Sequence, residues 1–349
     1  MKLGILTGVT GQDGSYLAEL LLEKNYTVWG LVRTTSNSKY ERIQHILKHP
    51  NFSLKKADLQ DTYSIQHIFD LTIPFLQEEK FERIEVYNLG AQSHVRHSFD
   101  MPEYTAEVDA IGVLRILESI RRSPFKDKIR FYQASTSELY GNRIQTAGLN
   151  ILNESSGFEP CSPYAVSKLF AYWSVRNYRE GYGIFASNGI LFNHESPRRG
   201  VEFVTRKITL AVSRISRGEQ SCLELGNLDA MRDWGHAKDY VEGMWRMLQT
   251  ENAGDWVLAT GENHSVREFV VEAFAHIGLI ISWKGKDVNE VGIDQNGVER
   301  VKINPEFFRP NELHTLLGDP SASIKELGWR PTYTFKELVR EMLENDKSN

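Results

Sequence analysis

The sequence of 349 residues predicts an α/β fold with a doubly wound parallel sheet, and three observations support this prediction. Short, continuous apolar runs alternate with amphipathic helical stretches over the first half of the chain, as in a parallel sheet covered by helices on both faces. Three glycines stand between the first apolar run and the helix that follows it. After about residue 195 the alternation becomes irregular, which predicts a second, smaller domain.

The predicted elements follow one another in strand–helix order. Strands are predicted for KLGILTG, YTVWGLVR, IEVYNLGA (84–91), IRFYQAS (129–135) and GIFASNGILFN (183–193). Helices are predicted for SYLAELLLEKN and for EYTAEVDAIGVLRILESIRR (103–122). A late helix is predicted in GDPSASIKELGWRP, where Asp319 suits the cap, Pro320 the first turn and Gly328 the stop.

Composition limits the class of function. With 41% hydrophobic and 25% charged residues the chain is typical of a globular protein, and its net charge of -5 argues against a nucleic-acid partner. No apolar run reaches the roughly 18 residues that span a bilayer, and MKLGILTG is too short for a signal peptide, so no membrane partner is expected. The two cysteines indicate neither a disulfide framework nor a zinc site, so a reducing cytoplasm is expected.

The glycines at positions 8, 11 and 14 lie in LTGVTGQDGSYLAELLL, directly after a strand and before a helix. Glycines allow a tight turn there and let backbone N–H groups approach a pyrophosphate at the helix N-terminus. A simple strand-to-helix turn would not require three glycines in this register. The pattern predicts a Rossmann-type dinucleotide-binding domain over residues 1–192, with 230–260 returning to it, and a smaller C-terminal substrate-binding domain over 193–229 and 261–349.

The end of the second predicted strand favours NADP over NAD. An acidic residue about 20 residues past the glycines holds the ribose 2′-OH of NAD. Arg33 stands in that place, 19 residues after Gly14, and hydroxyl side chains follow it. A guanidinium beside hydroxyls suits a 2′-phosphate. The alternative is that Arg33 is a solvated strand end.

Tyr164 and Lys168 in CSPYAVSK are four residues apart on a predicted helix, so they share one face. Ser162 is expected to cap this helix, which Pro163 opens. A nearby cation favours tyrosinate and lowers the pKa of the phenol, so the pair is predicted to remove a hydroxyl proton while a hydride leaves the same carbon. The alternative is an ordinary amphipathic helix start.

Thr136 and Glu138 in FYQASTSELYG follow a predicted strand, at the sheet edge where open α/β folds bind ligands. The two residues are two positions apart, so their side chains face the same way if the chain stays extended. The Thr136 hydroxyl can polarise a substrate oxygen, and Glu138 adds a second acid/base, which simple dehydrogenation does not require. The alternative is that Glu138 is an exposed turn carboxylate.

These residues resemble the extended short-chain dehydrogenase/reductases that act on nucleotide sugars and, among them, most closely the GDP-mannose 4,6-dehydratase family. The resemblance covers nearly the whole chain, and the block from Asn193 to Thr209 is its most specific part, because related epimerases differ there. The matching segments are GVTGQDGSYLAELLLEK, YNLGAQSHV, YQASTSELYG, SPYAVSKLFAYW, NHESPRRGVEFVTRKIT, LGNLDAMRDWGHAKDYVEGMW and FFRPNELHTLLGDPSASIKELGW.

The resemblance implies dehydration of GDP-mannose to GDP-4-keto-6-deoxymannose by hydride transfer through tightly held NADP. Tyr164 then takes the proton of the sugar 4-OH while Thr136, helped by Ser93, holds that oxygen. Glu138 removes the C5 proton and protonates the departing 6-OH.

The resemblance also implies binding residues. Those expected at the cofactor are Gly8, Thr10, Gly11, Gln12, Asp13, Gly14, Arg33, Asp58, Leu59, Leu89, Ala91, Tyr164, Lys168, Leu191, His194 and Arg199. Those expected at the substrate are Ser93, Glu138, Asn193, Lys207, Arg232, Arg309 and Glu312, and Arg199 also matches a position that holds GDP. The basic side chains of PRRG and TRK suit the binding of a diphosphate. The alternative is that these segments form a solvated basic loop.

Three positions depart from the family pattern. Thr34 replaces a second arginine in a loop that helps tetramers form in the family, so a homodimer and a homotetramer are both expected states. The segment GNRIQTAGLNILNESSGFEPCSPY is a few residues longer than usual, and His97 replaces a small apolar residue. Because the latter two lie near the sugar end, a GDP-manno-heptose is the alternative substrate.

Two other functions and one metal site are the alternatives to this interpretation. A 4-epimerase on this fold would share the glycines and the Tyr/Lys pair but has no need of Glu138. A non-catalytic NADP sensor has no reason to keep Tyr164 and Lys168 together with Thr136. His94 and His97 have the spacing of a metal pair, but no third ligand is evident, so no metal is expected.

Overall fold

The computed structural model describes residues 1–35, 40–142, 151–308, 311 and 313–347. Its strands, in chain order, are β1 Lys2–Thr7, β2 Thr27–Val32, β3 Phe52–Lys56, β4 Arg83–Asn88, β5 Ile129–Ala134, β6 Ile151–Leu152, β7 Phe185–Leu191, β8 Asn193–Glu195, β9 Leu223–Leu225, β10 Met231–Arg232, β11 Trp234–His236, β12 Asp255–Leu258, β13 His264–Ser265, β14 Ser282–Lys284, β15 Val291–Ile293, β16 Glu299–Ile303 and β17 Thr315–Gly318.

The helices are α1 Gln12–Glu23, α2 Thr62–Asp70, α3 Ile73–Gln77, α4 Val95–Asp100, α5 Pro102–Ala106, α6 Gly112–Arg122, α7 Pro163–Tyr182, α8 Val204–Ser216, α9 Ala237–Met247, α10 Val266–Ala275, α11 Ser321–Leu327 and α12 Phe335–Lys347. Within the described ranges, no helix is long and apolar enough to cross a membrane.

Seven parallel strands form the main sheet in the order β12-β7-β5-β4-β1-β2-β3, which confirms the predicted doubly wound α/β fold. Separate apolar cores cover its two faces, one containing Leu17 and Met244, the other Leu117 and Val175. The strand order reverses between β1 and β4. In open sheets of this kind ligands bind at such a reversal, outside the carboxyl ends of the strands.

Sequence patterns identified five of these strands and missed the two at the edges. β3 is only partly buried, and β12 is four residues long, so neither gives a strong apolar run. β12 nevertheless pairs with β7 in parallel, which brings residues 255–258 back to the main sheet. Smaller sheets, β13-β10-β17-β6, β14-β15-β16-β9 and β11-β8, complete the described fold, with a third apolar core that includes Val212, Phe269 and Leu343.

Two predicted helices differ in detail. The helix expected over 103–122 is interrupted by a π-helical turn at Glu107–Ile111, so α5 and α6 are separate segments. The late helix begins at Ser321, one residue beyond Pro320, while the Asp319 carboxylate accepts a hydrogen bond from the Ser321 N–H at 2.9 Å. Gly328 ends it in the left-handed conformation, as predicted.

Candidate active site

The glycine loop between β1 and α1 has the close backbone approach that a dinucleotide site requires. Gly8 has a φ of 67°, and a Cβ on it would lie 2.8 Å from the Gly90 nitrogen. A Cβ on Gly14 would lie 2.2 Å from the Gly8 carbonyl oxygen. Gly11 is the N-cap of α1 and offers no capping side chain, so the first-turn N–H groups are not capped by it. These features fit a pyrophosphate at the helix N-terminus.

A cavity of about 620 Å³ opens beside this loop, at the carboxyl ends of the central strands. It brings together every residue that was predicted to bind the cofactor or to take part in catalysis. Its lining includes Gly8, Thr10, Gly11, Gln12, Asp13, Gly14, Arg33, Asp58, Leu59, Leu89, Ala91, Ser93, Thr136, Glu138, Tyr164, Lys168, Leu191, Asn193, His194 and Arg199.

Two arginines line the end of the cavity near the second strand. Arg33 is exposed, and its Nη1 donates to the Tyr104 hydroxyl at 2.7 Å. Arg42 was missed by the sequence analysis; its Nη1 donates to the Thr10 carbonyl at 3.2 Å. No spacing rule points to Arg42, because it follows the strand at a distance set by an irregular loop. The pair concentrates positive charge at this end of the cavity.

Tyr164 and Lys168 project from the first turns of α7, a helix that starts as predicted. The Ser162 hydroxyl accepts a hydrogen bond from the Ala165 N–H at 3.1 Å, and Pro163 is the first helical residue. Lys168 Nζ donates to the Ala134 carbonyl at 3.0 Å and lies 5.7 Å from the centre of the Tyr164 ring. Both side chains are buried while lining the cavity.

The pKa of the Tyr164 phenol is raised, whereas the sequence predicted that it would be lowered. Burial is the main cause, and the carboxylates of Asp109 and Glu138 add to it. A hydrogen bond with Thr136 acts in the opposite direction. Burial also lowers the pKa of the Lys168 ammonium, against the attraction of Asp109.

Thr136 and Glu138 both line the cavity, although the chain does not stay extended between them. The backbone turns into a short 3₁₀ helix at Ser137–Tyr140 directly after β5, and the Thr136 hydroxyl caps it by accepting from the Glu138 N–H at 3.2 Å. The turn keeps Thr136 against the Tyr164 phenol. Next to them, the Ser135 hydroxyl is buried and has no hydrogen-bond partner among the described residues.

Asp109 is an ionisable residue of the site that the sequence analysis missed. It lies in the π-helical turn, is 1% exposed, and accepts a hydrogen bond from the Gln92 N–H at 2.7 Å. Burial raises its pKa to about 6, although Lys168 acts in the opposite direction. An acidic residue amid the apolar positions of a predicted helix was the available signal.

Asp13 and His194 join the glycine-loop helix to β8. His194 Nε2 lies 2.9 Å from an Asp13 carboxylate oxygen, and Nδ1 lies 2.8 Å from the Phe192 carbonyl. Both ring nitrogens thus face acceptors, an arrangement that favours the doubly protonated ring. Burial alone would lower the pKa of His194, but Asp13 raises it. This ion pair fixes the first turn of α1 beside the cavity.

Two further substrate predictions, Lys207 and Arg232, are not among the described residues that line the cavity. Lys207 Nζ lies 3.3 Å from the centre of the Phe307 ring, and Arg232 is buried, with Nη1 donating to the Met231 carbonyl at 2.8 Å. Arg309 and Glu312 lie outside the described residues, as do positions 143–150 of the longer segment.

The two histidines singled out for their spacing lie beside the cavity. The rings of His94 and His97 are 4.0 Å apart, and His97 is exposed. Among the described residues, no group of three or more His, Cys, Asp or Glu side chains could hold a metal ion.

Comparison with known proteins gives consistent matches. Residues 5–342 match the family model described as GDP-mannose 4,6 dehydratase. Over 99% of its length the chain is 52% identical to a GDP-mannose 4,6 dehydratase of Drosophila melanogaster, covering 86% of that protein. Over 99% of its length the chain is also 50% identical to a GDP-mannose 4,6 dehydratase of Homo sapiens, covering 91% of that protein. It is 49% identical, again over 99% of its length, to a GDP-mannose 4,6-dehydratase of Vibrio cholerae, covering 93% of that protein.

Solved structures match the fold. A dTDP-glucose 4,6-dehydratase from Streptomyces venezuelae with NAD superposes with a TM-score of 0.80 at 22% identity, covering 100% of this chain and 98% of that one. RMD from Pseudomonas aeruginosa complexed with NADPH superposes with a TM-score of 0.74 at 20% identity, covering both chains fully. At this level of identity the likeness concerns the fold.

Proposed function

The chain belongs to the GDP-mannose 4,6-dehydratase family, and from this premise we propose how its cavity carries out the reaction. The protein is a hydro-lyase of deoxysugar biosynthesis that dehydrates GDP-mannose to GDP-4-keto-6-deoxymannose. The relatives favour neither a GDP-manno-heptose substrate nor 4-epimerisation. The observation that carries the proposed mechanism is that Tyr164, Thr136 and Glu138 line one cavity with the glycine loop.

The cofactor is a nicotinamide dinucleotide, and we propose that it is NADP. Solved structures with this fold bind NAD or NADPH. Arg33 in place of an acidic residue, with Arg42 beside Thr10, supports the phosphorylated form. The glycine loop would hold its pyrophosphate. When bound, it would supply a hydride acceptor for sugar C4 and a hydride donor for C6.

In the proposed first step, the Tyr164 oxygen takes the proton of the sugar 4-OH as the C4–H bond breaks. Thr136, which lines the cavity with Tyr164, orients the 4-oxygen, and Ser93 at the cavity wall assists it. The Lys168 ammonium, anchored on the Ala134 carbonyl, supplies positive charge near the phenol. Positive charge favours the tyrosinate that this step needs.

In the proposed second step, Glu138 acts on C5 and C6. A 4-ketone makes the C5 proton acidic, so the Glu138 carboxylate can remove it. The same proton then goes to the 6-OH, which leaves as water, and a double bond remains between C5 and C6. Addition of a hydride at C6 leaves an enolate at C4–C5, and a proton equivalent to the one that Tyr164 took from the 4-OH is returned at C5, so the side chains end in their starting protonation states. A single carboxyl group positioned over both carbons is enough for this syn exchange of proton and leaving group.

We propose two groups of substrate-binding residues: those that line the cavity and those that only the family motif supports. Asn193 and Arg199 line the cavity, and the Arg199 guanidinium lies 3.7 Å from the centre of the Phe203 ring, which holds it at the cavity wall. They are proposed to hold the GDP diphosphate end. For Lys207 and Arg232, and for Arg309 and Glu312, support comes from the family motif alone.

We also propose a homo-oligomer, either a dimer or a tetramer. Val166, Phe170 and Trp173 form an exposed apolar stripe on α7, being 55%, 44% and 52% exposed. Their spacing places them on one helix face, the arrangement expected of a protein–protein contact. A cytoplasmic location without a nucleic-acid or membrane partner is part of the proposal, supported by the net charge of -5 and two unpaired cysteines.

One incubation with GDP-mannose tests the proposed function. We expect a product lighter by one water, detected by mass spectrometry, with no added cofactor consumed. An isomer of unchanged mass would mean epimerisation, and unchanged substrate in the presence of NADP would contradict catalysis altogether.

The choice of cofactor is tested by Arg33→Asp. We expect the wild type to bind NADP more tightly than NAD, and the variant to lose about 10- to 100-fold of that preference, since a charge-assisted phosphate contact is lost and repulsion replaces it. Calorimetric titration of both cofactors measures the ratio. Arg122→Asp, at the exposed end of α6, is the matched control and should keep the wild-type ratio. Equal affinity of the wild type for both cofactors would refute the assignment.

A further inference from the structure

Three buried polar side chains cross the main sheet in one row and play no part in the mechanism above. Thr7 on β1 is the register partner of Asn88 on β4, which is the partner of Gln133 on β5. None is more than 4% exposed. The Thr7 hydroxyl donates to Asn88 Oδ1 at 2.6 Å, and Asn88 Nδ2 donates to Gln133 Oε1 at 2.8 Å. We refer to Thr7, Asn88 and Gln133 as the polar row.

The direction of every hydrogen bond in the polar row follows from Thr7. Its hydroxyl oxygen accepts from the N–H groups of Leu89 at 3.0 Å and Gly90 at 2.9 Å, which uses both lone pairs. Its single proton must therefore go to Asn88, which has to present its amide oxygen. The Asn88 nitrogen then faces Gln133, so Gln133 presents its oxygen to Asn88 and its nitrogen to the far side.

The far end of the polar row reaches the carbonyl that anchors Lys168. Gln133 Nε2 donates to the Ala134 carbonyl at 2.9 Å, and Lys168 Nζ donates to the same oxygen at 3.0 Å. The two donors occupy the two lone pairs of that oxygen. A reversed Gln133 amide would place its own oxygen against the Ala134 oxygen and give the ammonium a second, competing acceptor. The orientation of Gln133 thus decides where the buried ammonium lies.

We propose that Gln133 is a positioning residue for Lys168, held in its working orientation by Asn88 and Thr7. The inference rests on the proposed function, in which Lys168 supplies positive charge near Tyr164. A displaced ammonium stabilises the tyrosinate less, so proton removal from the 4-OH becomes harder. Substrate binding is unaffected, because none of the three side chains of the polar row is needed to hold GDP.

The test replaces Gln133 with methionine, which has a similar length but no donor for the Ala134 carbonyl. Because misplacing a catalytic group by about 1 Å costs up to about 100-fold, we expect kcat to fall about 10- to 100-fold with little change in KM. We also expect the rise of kcat with pH to move to higher pH by about one unit, since the base is now harder to deprotonate.

A pair of variants at Thr7 tests the polar row from its other end. Thr7→Val removes the proton that orients Asn88, and it should move the pH profile in the same direction. Thr7→Ser keeps the hydroxyl and should have the wild-type pH profile. If Gln133→Met does not fold, as judged by circular dichroism, this pair decides the question alone.

The outcomes are distinguishable. A wild-type pH profile in both Gln133→Met and Thr7→Val would overturn the proposal, even if kcat falls, because a loss of folded protein lowers kcat without moving the profile. The variant Lys168→Met separates a failure of the role of the polar row from a failure of the proposed function. If Lys168→Met keeps the wild-type kcat, the assignment of the catalytic site fails; if it is inactive while the profiles stay unmoved, only the role of the polar row fails.

Discussion

Tyr164→Phe is expected to lower kcat about 10²- to 10⁴-fold, the range found when a positioned general base is removed. Phenylalanine keeps the ring, and with it the packing of a side chain that is buried at the cavity wall. It has no oxygen to take the 4-OH proton. Substrate binding is expected to persist, because the loss concerns the transition state.

The pH dependence of the same variant gives a second measurement. Burial raises the pKa of the Tyr164 phenol, helped by Asp109 and Glu138, so the tyrosinate fraction increases with pH across the neutral range. The wild-type kcat should therefore rise with pH, and the residual rate of Tyr164→Phe should lack this rise. Tyr182→Phe, an exposed position on the same helix, should behave as wild type. A Tyr164→Phe rate close to wild type, with the same rise, would show that another group is the base.

Glu138→Gln is expected to lower product formation by about 10²- to 10⁴-fold while still allowing some oxidation at C4. Glutamine has nearly the same shape and stays in the 3₁₀ turn after β5, but its amide cannot accept the C5 proton. The measurement is exchange of the C5 proton in deuterated solvent, followed by mass spectrometry of recovered GDP-mannose and product.

Glu159→Gln is the matched control for Glu138→Gln. Glu159 is an exposed carboxylate of the loop before α7 and lies outside the cavity lining, so its variant should exchange the C5 proton at the wild-type rate. Wild-type exchange in Glu138→Gln would instead assign the C5 base to a different group, and the unpartnered hydroxyl of Ser135 or the carboxyl of Asp109 would be examined next.

Much of the fold and of the candidate site could be predicted because those parts depend on local rules. The glycine loop is a strand, a turn and a helix in direct succession, and its spacing alone requires the close backbone approach found at Gly8 and Gly14. The helical period places Tyr164 and Lys168 on one face wherever that helix lies. The central strands were visible because burial on both faces makes them continuously apolar.

Other parts required the tertiary structure, and the physical reason is that parallel strand register leaves no local trace in the sequence. Thr7, Asn88 and Gln133 are far apart along the chain and become neighbours only because β1, β4 and β5 pair in one register. Arg42 reaches Thr10 only through an irregular loop. The sequence alone determined the dinucleotide loop, the Tyr164–Lys168 pair and the sheet they belong to. Which electrostatic neighbours surround that pair, including the carboxylate of Asp109 that raises the phenol pKa, was decided by how the elements pack, since burial and charge proximity exist only in the folded chain.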